Sequence, residues 1–220
     1  MNIIIIIPCF NDNEPIKKLI SQLIELCDLN ILVIDDGSDS HINISSFGDR
    51  VAIIRNESNK GKGYSLRMGF EYALSNNYTH AITIDADMQH DPNCINKFIE
   101  ISDNFNMVIG MRSFGTNMPI HRRFSNNVTS MIISLMCRKR IKDSQSGYRR
   151  YELKSSAFNG CTEDGFQFES EILIDQLKAD NALVQHVSIP TLYNDEKSSI
   201  NNASDTYKFI KLIVRKIFAR

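Results

Sequence analysis

Two aspartates, Asp85 and Asp87, stand directly after an apolar segment, and Gln89 follows at the same spacing. Carboxylate and amide oxygens suit Mg²⁺ and Mn²⁺, which commonly bind through one or two carboxylates together with the phosphates of a substrate. The spacing therefore predicts a divalent metal site that accepts a diphosphate. A solvated loop is the alternative, in which Asp91 caps a helix that begins at Pro92. That alternative explains Asp91 but leaves Asp85 and Asp87 unexplained.

Two other apolar segments also end in polar or turn-forming residues. The first delivers Pro8, Phe10 and Asp12, and the second delivers Asp35–Ser38. In an open α/β sheet, ligands bind outside the carboxyl ends of the strands. We therefore expect these residues to share one edge with Asp85. For Asp35–Ser38 taken alone, a turn held by aspartate side chains is an equal alternative.

The segment Lys60–Gly63 alternates lysine and glycine between these predicted strands. Glycines let a backbone approach a ligand closely, and Lys62 could meet a phosphate. The pattern is not a dinucleotide fingerprint, because Leu66 stands where a series starting at Gly61 requires its last glycine, and it does not match a P-loop. It favours a structural turn in which Lys62 contacts phosphate.

Basic residues gather in the second half of the chain. Arg112 follows a predicted strand, and six basic residues occur between His121 and Lys142 without one acid. They are Arg122, Arg123, Arg138, Lys139, Arg140 and Lys142. Each alone is more typical of a solvated surface, but together they predict an anion-facing wall near the acidic metal site.

Apolar runs and helical periodicity predict the elements that position these residues. Short apolar runs predict strands at Ile3–Ile7, Ile31–Ile34, Val51–Ile54, Ala81–Ile84, Met107–Gly110 and Leu183–Ile189. Helical spacing predicts helices at Ile16–Cys27, Leu66–Leu74, Ile95–Ile101, Val128–Met136 and Phe166–Leu177. The alternation of strand and helix predicts an α/β fold, a doubly wound and mostly parallel sheet with helices on both faces.

Length, charge and composition limit the class of protein. A chain of 220 residues with 42% apolar residues buries one ordinary core, and we assign residues 1–205 to a single domain. The formal net charge of -1 gives no reason to expect nucleic-acid binding. Five scattered cysteines follow no disulfide or zinc spacing, which predicts a reducing, cytoplasmic setting. The apolar start of the chain is too short to span a membrane and lacks the features of a signal peptide.

Residues 206–220 are predicted to form a basic amphipathic helix. Five basic residues from Lys208 to Arg220 occur without an acid, while Ile210, Ile213, Val214 and Ile217 share one helical face. Such a helix can lie in a membrane interface, or it can pack on the domain with a solvated basic face. The sequence leaves both open. Because no span of the chain is long enough to cross a membrane, any attachment is predicted to be peripheral, at the inner face.

Four segments, in this order, resemble the family 2 glycosyltransferases, specifically the dolichol-phosphate mannosyltransferase and polyprenyl-phosphate glycosyltransferase group. They are Pro8-Cys9-Phe10-Asn11-Asp12, Ile34-Asp35-Asp36-Gly37-Ser38, Asp85-Ala86-Asp87-Met88-Gln89-His90-Asp91-Pro92 and Asp143-Ser144-Gln145-Ser146-Gly147-Tyr148-Arg149. The resemblance extends from Ile3 to about Asp205. It implies a GT-A-type fold and a metal-dependent, inverting sugar transfer. The implied donor is GDP-mannose or a UDP-sugar, and the implied acceptor is a polyprenyl phosphate, dolichyl or undecaprenyl.

The resemblance also implies roles for individual residues. The nucleotide pocket would be lined by Pro8, Phe10, Asp12, Ile34 and Asp36, with Lys197 as a phosphate contact in addition to Lys62 from the lysine–glycine segment. Asp85 and Ala86 would touch the donor, Asp87 and Gln89 would hold Mg²⁺ or Mn²⁺, and Arg112 would lie against the phosphates. Arg122, Arg123, Gly147 and Arg149 would face the acceptor. The metal and the arginines would neutralise the charge that builds on the diphosphate leaving group.

Two positions depart from the family pattern. Asp12 stands where the family usually has a glutamate, which is one methylene longer. Thr191 begins a segment that usually starts with arginine and ends in lysine, here Lys197. Lys197 remains a candidate phosphate ligand, whereas Thr191 cannot supply the bidentate grip of an arginine. The donor is therefore not identified by the motifs.

The chemistry of the acceptor decides the role of Asp143. A hydroxyl acceptor needs a base, which Asp143 would supply, and transfer to a saccharide hydroxyl in cell-surface polysaccharide synthesis is the alternative function. A phosphate monoester needs none, since its second pKa near about 6 makes it anionic at neutral pH. We favour the lipid phosphate, with Asp143 positioning the loop before Gly147.

Three other classes compete for the acidic motif. A haloacid-dehalogenase phosphatase has two aspartates at the same spacing, but it expects them near the start of the chain with Thr or Val where Met88 stands. A nucleotidyltransferase expects a glycine-rich, arginine-containing loop after the first strand, and this chain has none there. A non-catalytic sugar-nucleotide-binding module would bind the donor without hydrolysing it.

Overall fold

The computed structural model describes residues 1–113, 120–154, 158, 160–178, 181–190 and 202–218. Its strands are β1 (Ile3–Cys9), β2 (Asn30–Asp35), β3 (Val51–Arg55), β4 (His80–Thr83), β5 (Met107–Arg112), β6 (Arg149–Glu152) and β7 (Val184–Ile189). Within the described ranges these seven strands form one sheet in the order β3-β2-β1-β4-β6-β5-β7. Neighbouring strands pair in parallel except at β6, which is antiparallel to both β4 and β5.

The helices lie on both faces of this sheet. They are α1 (Asn13–Leu26), α2 (Lys62–Ser75), α3 (Ile95–Ile99), α4 (Ile120–Cys137), α5 (Gln167–Leu177) and α6 (Asn202–Phe218), with short 3-10 helices at Ser45–Phe47 and Pro92–Cys94. The prediction of a doubly wound, mostly parallel α/β sheet is confirmed.

The central strand β1 explains why helices cover both faces. Its isoleucines alternate between two cores, so that Ile5 packs in the cluster that contains Leu19 of α1, and Ile6 packs in the cluster that contains Phe70 of α2. Full burial of such a side chain stabilises the fold by about 1.5–3 kcal/mol. Helix α2 lies especially close to the sheet, because a Cβ at Gly69 would come within 2.6 Å of the Ile6 side chain.

Strand β6 is the element that sequence periodicity missed. It begins with two arginines, and both are fully buried, on opposite faces of the sheet. Arg149 donates hydrogen bonds to the carbonyl oxygens of Ser144, Ser146 and Glu169, at 2.7 to 2.8 Å. Arg150 donates to three carbonyls at the C-terminus of α3 and just beyond it, those of Phe98, Ile101 and Ser102. Each guanidinium thus satisfies backbone groups that would otherwise be buried without a partner.

The C-terminal helix α6 begins at Asn202, four residues before the predicted boundary at 206. It packs against α5 and buries Leu212, while Ile210, Val214 and Ile217 are about half exposed. Among the residues that the structure describes, no helix is both long enough and apolar enough to cross a membrane.

Candidate functional site

The carboxyl ends of β1, β2 and β4 lie at one edge of the sheet, because these neighbouring strands are parallel. The first two ends are tied together directly. The Asp36 amide donates to the Cys9 carbonyl at 2.8 Å, and the Asn11 amide donates to the Ser38 hydroxyl at 2.9 Å. The polar residues that follow the strands therefore gather at this edge, as the sequence predicts.

Asp85 lies at the centre of a charged cluster at this edge. Its carboxylate is 2.6 Å from the Lys62 ammonium, and its second oxygen is 3.6 Å from Nε2 of the buried His90. Lys62 also pairs with Glu169 of α5 at 3.0 Å. Burial opposes ionisation of Asp85, but Lys62 outweighs it and holds the pKa of this carboxyl well below its ordinary value. Asp85 is therefore an anion with a fixed orientation.

Asp87 has a different electrostatic environment from Asp85. Burial raises the pKa of its carboxyl, and the negative charge of Asp85 adds to that increase. One carboxylate oxygen accepts a hydrogen bond from the Gln89 amide at 3.0 Å, across Met88, whose φ of 58° turns the chain. Among the described residues, the other oxygen has no hydrogen-bond partner. A carboxylate oxygen without a hydrogen-bond partner, two residues before the side-chain amide of Gln89, fits Mg²⁺ or Mn²⁺.

Gly147 lies against the Asp85 carboxylate because of the antiparallel strand β6. Residue Arg149 pairs with Thr83 at the end of β4, so the loop before β6 reaches the same edge as Asp85. The Thr83 hydroxyl donates to the Gly147 carbonyl at 2.8 Å. A Cβ at Gly147 would lie 2.5 and 2.8 Å from the two Asp85 oxygens. The absence of a side chain at residue 147 thus makes room for the carboxylate.

Arg112 and Asp143 form a bidentate ion pair at the end of β5. Arg112 Nε and Nη2 donate to the two carboxylate oxygens at 2.8 and 2.9 Å, and the Arg112 amide donates to the same group at 3.2 Å. Asp143 is fully buried. Burial opposes its ionisation, but the hydrogen bonds and charge of Arg112 outweigh it and lower the pKa of the Asp143 carboxyl. This carboxylate fixes the orientation of Arg112.

Asp36 holds the loop that leads into α2. Its carboxylate accepts hydrogen bonds from the Asn56 side chain at 2.7 Å and from the amides of Lys60 and Gly61 at 2.9 and 2.8 Å. Asp35 beside it accepts from the Ser38 amide and pairs with Arg55. The two aspartates of this motif therefore carry the turn that the sequence left as an alternative, and Asp36 also places Lys62.

The other residues singled out from the sequence lie in several environments. Pro8 and Asp12 are half-buried, and Phe10 is 42% exposed. The side chains of Ile34 and Ala86 are buried in the two cores, which leaves only their backbone for contact with a ligand. Arg123 is exposed on α4. Lys197, Thr191 and the side chain of Arg122 lie outside the described residues.

The structure corrects the expectation for Arg149. The sequence placed this residue opposite an acceptor phosphate, but its guanidinium is fully buried and donates to three backbone carbonyls. A group in that position binds the loop at Ser144–Ser146 to α5 and does not face a ligand. Arg149 therefore stabilises the loop before Gly147 and does not contact a ligand itself.

Sequence reasoning gave no role to two residues that contact Asp85 or its partner. Glu169 lies in the first turn of α5 and pairs with Lys62, and one of its carboxylate oxygens is buried without a hydrogen-bond partner among the described residues. His90, 3.6 Å from Asp85, lies within the Asp85–Pro92 motif, which by itself assigns it no role. An acid in the first turn of a predicted helix was the available signal for Glu169.

Comparisons of the whole chain with known proteins show which proteins it is similar to. The sequence model of the family described as Glycosyl transferase family 2 matches residues 4–170. An uncharacterized protein of Methanocaldococcus jannaschii is 32% identical over 98% of this chain and 99% of its own. The UDP-N-acetylglucosamine–dolichyl-phosphate N-acetylglucosaminyltransferase of Methanococcus voltae is 29% identical over 73% of this chain and 77% of its own.

One solved structure has the same architecture at low identity. It is glucosyl-3-phosphoglycerate synthase from Mycobacterium tuberculosis, in complex with Mn²⁺, uridine diphosphate and phosphoglyceric acid. The TM-score is 0.74 at 15% sequence identity, and the match covers 97% of this chain and 77% of that chain.

Proposed function

The chain belongs to glycosyl transferase family 2, and we propose that it moves a sugar from a nucleotide diphosphate-sugar to a polyprenyl phosphate. Its sheet and helices have the GT-A glycosyltransferase fold. Membership of this family makes the chain a glycosyltransferase and removes the phosphatase, nucleotidyltransferase and non-catalytic alternatives.

The state of Asp143 is the observation that carries the choice of acceptor. A general base is most effective when its pKa lies near the working pH and it reaches the proton that it removes. Asp143 is buried, has a lowered pKa and engages both of its oxygens with Arg112. It is therefore a poor base for a hydroxyl acceptor. A phosphate monoester is already anionic at neutral pH and needs no base.

The donor and the metal would occupy the edge that carries Asp85 and Asp87. Lys62 keeps Asp85 ionised and in place, which supports a contact between this carboxylate and the donor. Asp87 and Gln89 would hold Mg²⁺ or Mn²⁺, which when bound would stabilise charge on the diphosphate leaving group. Arg112, oriented by Asp143, would add positive charge on the same side. The donor is GDP-mannose or a UDP-sugar.

Peripheral contact with a membrane completes the proposal. Helices α4 and α6 both pack against α5. Each exposes large apolar side chains, namely Phe124, Met131 and Leu135 on α4 and Ile210, Val214, Ile217 and Phe218 on α6. Lys208 and Lys211 are exposed on α6. Apolar and basic side chains on one helix favour the surface of an anionic bilayer.

The acceptor is tested with the purified chain, Mn²⁺ and a panel of UDP- and GDP-sugars. With the correct donor we expect a short polyprenyl phosphate to be glycosylated, and mass spectrometry of the lipid fraction detects the product. The matched control is the polyprenol of the same length without the phosphate, which should give no product because its hydroxyl needs a base. Turnover on free saccharides, without turnover on the lipid phosphate, would refute the proposal and assign Asp143 as the base.

Membrane contact is tested by co-sedimentation with vesicles. Replacing both Lys208 and Lys211 by glutamine should reduce binding to anionic vesicles by roughly 30-fold, since each basic residue near such a surface contributes about 1 kcal/mol. Binding to zwitterionic vesicles is the control and should change little. Equal binding of the variant and the native chain to anionic vesicles would exclude α6 as the contact.

A further inference from the structure

Helix α6 is fixed to α5 and to the loop before α5 by a cluster of charges. Arg215 is 2.7 Å from Glu171 and 3.0 Å from Glu163. Lys216 is 3.0 Å from Glu171 and 2.6 Å from Asp175. Glu171 is fully buried, so two cations from α6 neutralise a carboxylate that would otherwise be costly to bury.

The second oxygen of Glu171 holds the segment Cys161–Asp164, here called the capping loop. It accepts hydrogen bonds from the amides of Thr162 and Glu163 at 2.8 and 2.9 Å. Arg215 also donates to the Thr162 hydroxyl at 2.8 Å. The capping loop is thus fixed by a buried acid of α5 and a cation of α6, and Arg67 of α2 holds its two ends through the Cys161 carbonyl and Asp164.

The capping loop in turn covers the N-terminus of α2. The Asp164 carbonyl accepts hydrogen bonds from the amides of Gly63 and Tyr64 at 2.8 and 3.1 Å. These are groups that a helix start leaves without an intrahelical partner. Contact is close, since a Cβ at Gly63 would lie 2.7 Å from the Glu163 carbonyl. Lys62 stands in this same turn and pairs with Asp85.

The ligand atoms of Cys161, Glu171 and Asp175 lie within 4.8 Å of one another, a grouping that resembles a metal site. The Lys216 ammonium already occupies the space between the two carboxylates, at 3.0 and 2.6 Å. The cluster is therefore an internal network of ion pairs. Its role is to hold α6 and the capping loop in place.

We propose that Glu171 and Arg215 are positioning residues for the donor site. Through the capping loop they fix the first turn of α2, and with it the position of Lys62 against Asp85. The position of α6 against α5 would thereby control the affinity of the site for the donor. This inference rests on the proposed function in one respect, namely that Asp85 contacts the donor.

Arg215→Met is the informative variant, because Lys216 still pairs with Glu171 and we therefore expect the fold to be retained. Two measurements follow it, hydrogen exchange at the Gly63 and Tyr64 amides and the affinity for the nucleotide sugar in the presence of Mn²⁺. We expect faster exchange at both amides and about tenfold weaker donor binding, within the usual range of coupling between sites. Glu171→Gln should change both measurements in the same direction if it folds.

Two controls on the same helix separate positioning from general stability. Lys211→Met removes an exposed cation outside the network and should change neither measurement. Ile213→Ala removes packing against the core and should lower the melting temperature without a specific loss of protection at Gly63 and Tyr64.

Unchanged exchange at Gly63 and Tyr64 in Arg215→Met would overturn the inference, as would faster exchange with unchanged donor affinity. An Ile213→Ala variant that weakens donor binding equally would also overturn it. If the native chain binds none of the UDP- or GDP-sugars, the proposed function fails, while exchange at the two amides still decides whether α6 controls the start of α2.

Discussion

Replacing Asp87 by alanine is expected to abolish the metal-dependent part of donor binding and to leave the fold intact. Asp87 lies beyond the end of β4, and its side chain supplies charge, with one hydrogen bond to the Gln89 amide. A bound divalent ion contributes several kcal/mol by neutralising charge on phosphates. We therefore expect donor affinity in the presence of Mn²⁺ to fall by more than about 100-fold, as measured by calorimetry.

The matched control for this variant is Asp91→Ala in the same segment. Asp91 caps the 3-10 helix at Pro92–Cys94 by accepting from the Asn93 amide at 3.0 Å. Losing that cap should cost about 1 kcal/mol of stability and leave metal-dependent binding in place. Retained Mn²⁺-dependent affinity in Asp87→Ala would show that Asp87 is not the metal ligand.

The parallel half of the fold was predictable from the sequence because its strands are buried on both faces. Strand β1 is a continuous β-branched run, and β2 and β4 repeat the pattern, so period and length identify them. Strand β6 breaks the pattern. Its Arg149 and Arg150 are buried only because each finds three backbone carbonyls from elsewhere in the chain. No local pattern predicts partners of that kind.

In the candidate site, too, local sequence patterns predict some features, while others depend on contacts between distant segments. Asp85 and Asp87 were predictable because carboxylates end an apolar strand, and the strand order places them at the same edge as the Asp35–Asp36 turn, with β1 between β2 and β4. The difference in charge environment between the two was not predictable. It depends on Lys62 bridging Asp85 and Glu169, which come from three separate elements. Ion pairs between distant segments follow from the packing of the helices, which periodicity does not specify.

Gly147 lies in the loop before β6, where this strand joins the parallel strands of the sheet at β4. Its replacement by alanine should affect donor binding strongly. The new Cβ would lie 2.5 Å from the Asp85 carboxylate. The backbone cannot retreat easily, because Thr83 holds the Gly147 carbonyl, and Asp85 cannot move without stretching its 2.6 Å contact with Lys62. A displacement near 1 Å can cost about 100-fold in rate, and we expect a loss of that order in turnover.

Gly48→Ala supplies the matched control for this prediction. A Cβ at Gly48 meets nothing within 4 Å, but a φ of 71° with a ψ of -169° is a backbone conformation essentially restricted to glycine, so stability should fall by about 1–3 kcal/mol away from the site. Gly147→Ala should lose about 1–3 kcal/mol from overpacking, and circular dichroism at the assay temperature checks that both variants are folded. Donor affinity and turnover should then fall in Gly147→Ala alone.

If Gly147→Ala loses stability but binds the donor as the native chain does, Asp85 does not contact the donor. The pairing of Asp85 with Lys62 would then be a structural link between β4 and α2. In that case Asp87 and the residues that follow β1 and β2 would make the contacts with the donor.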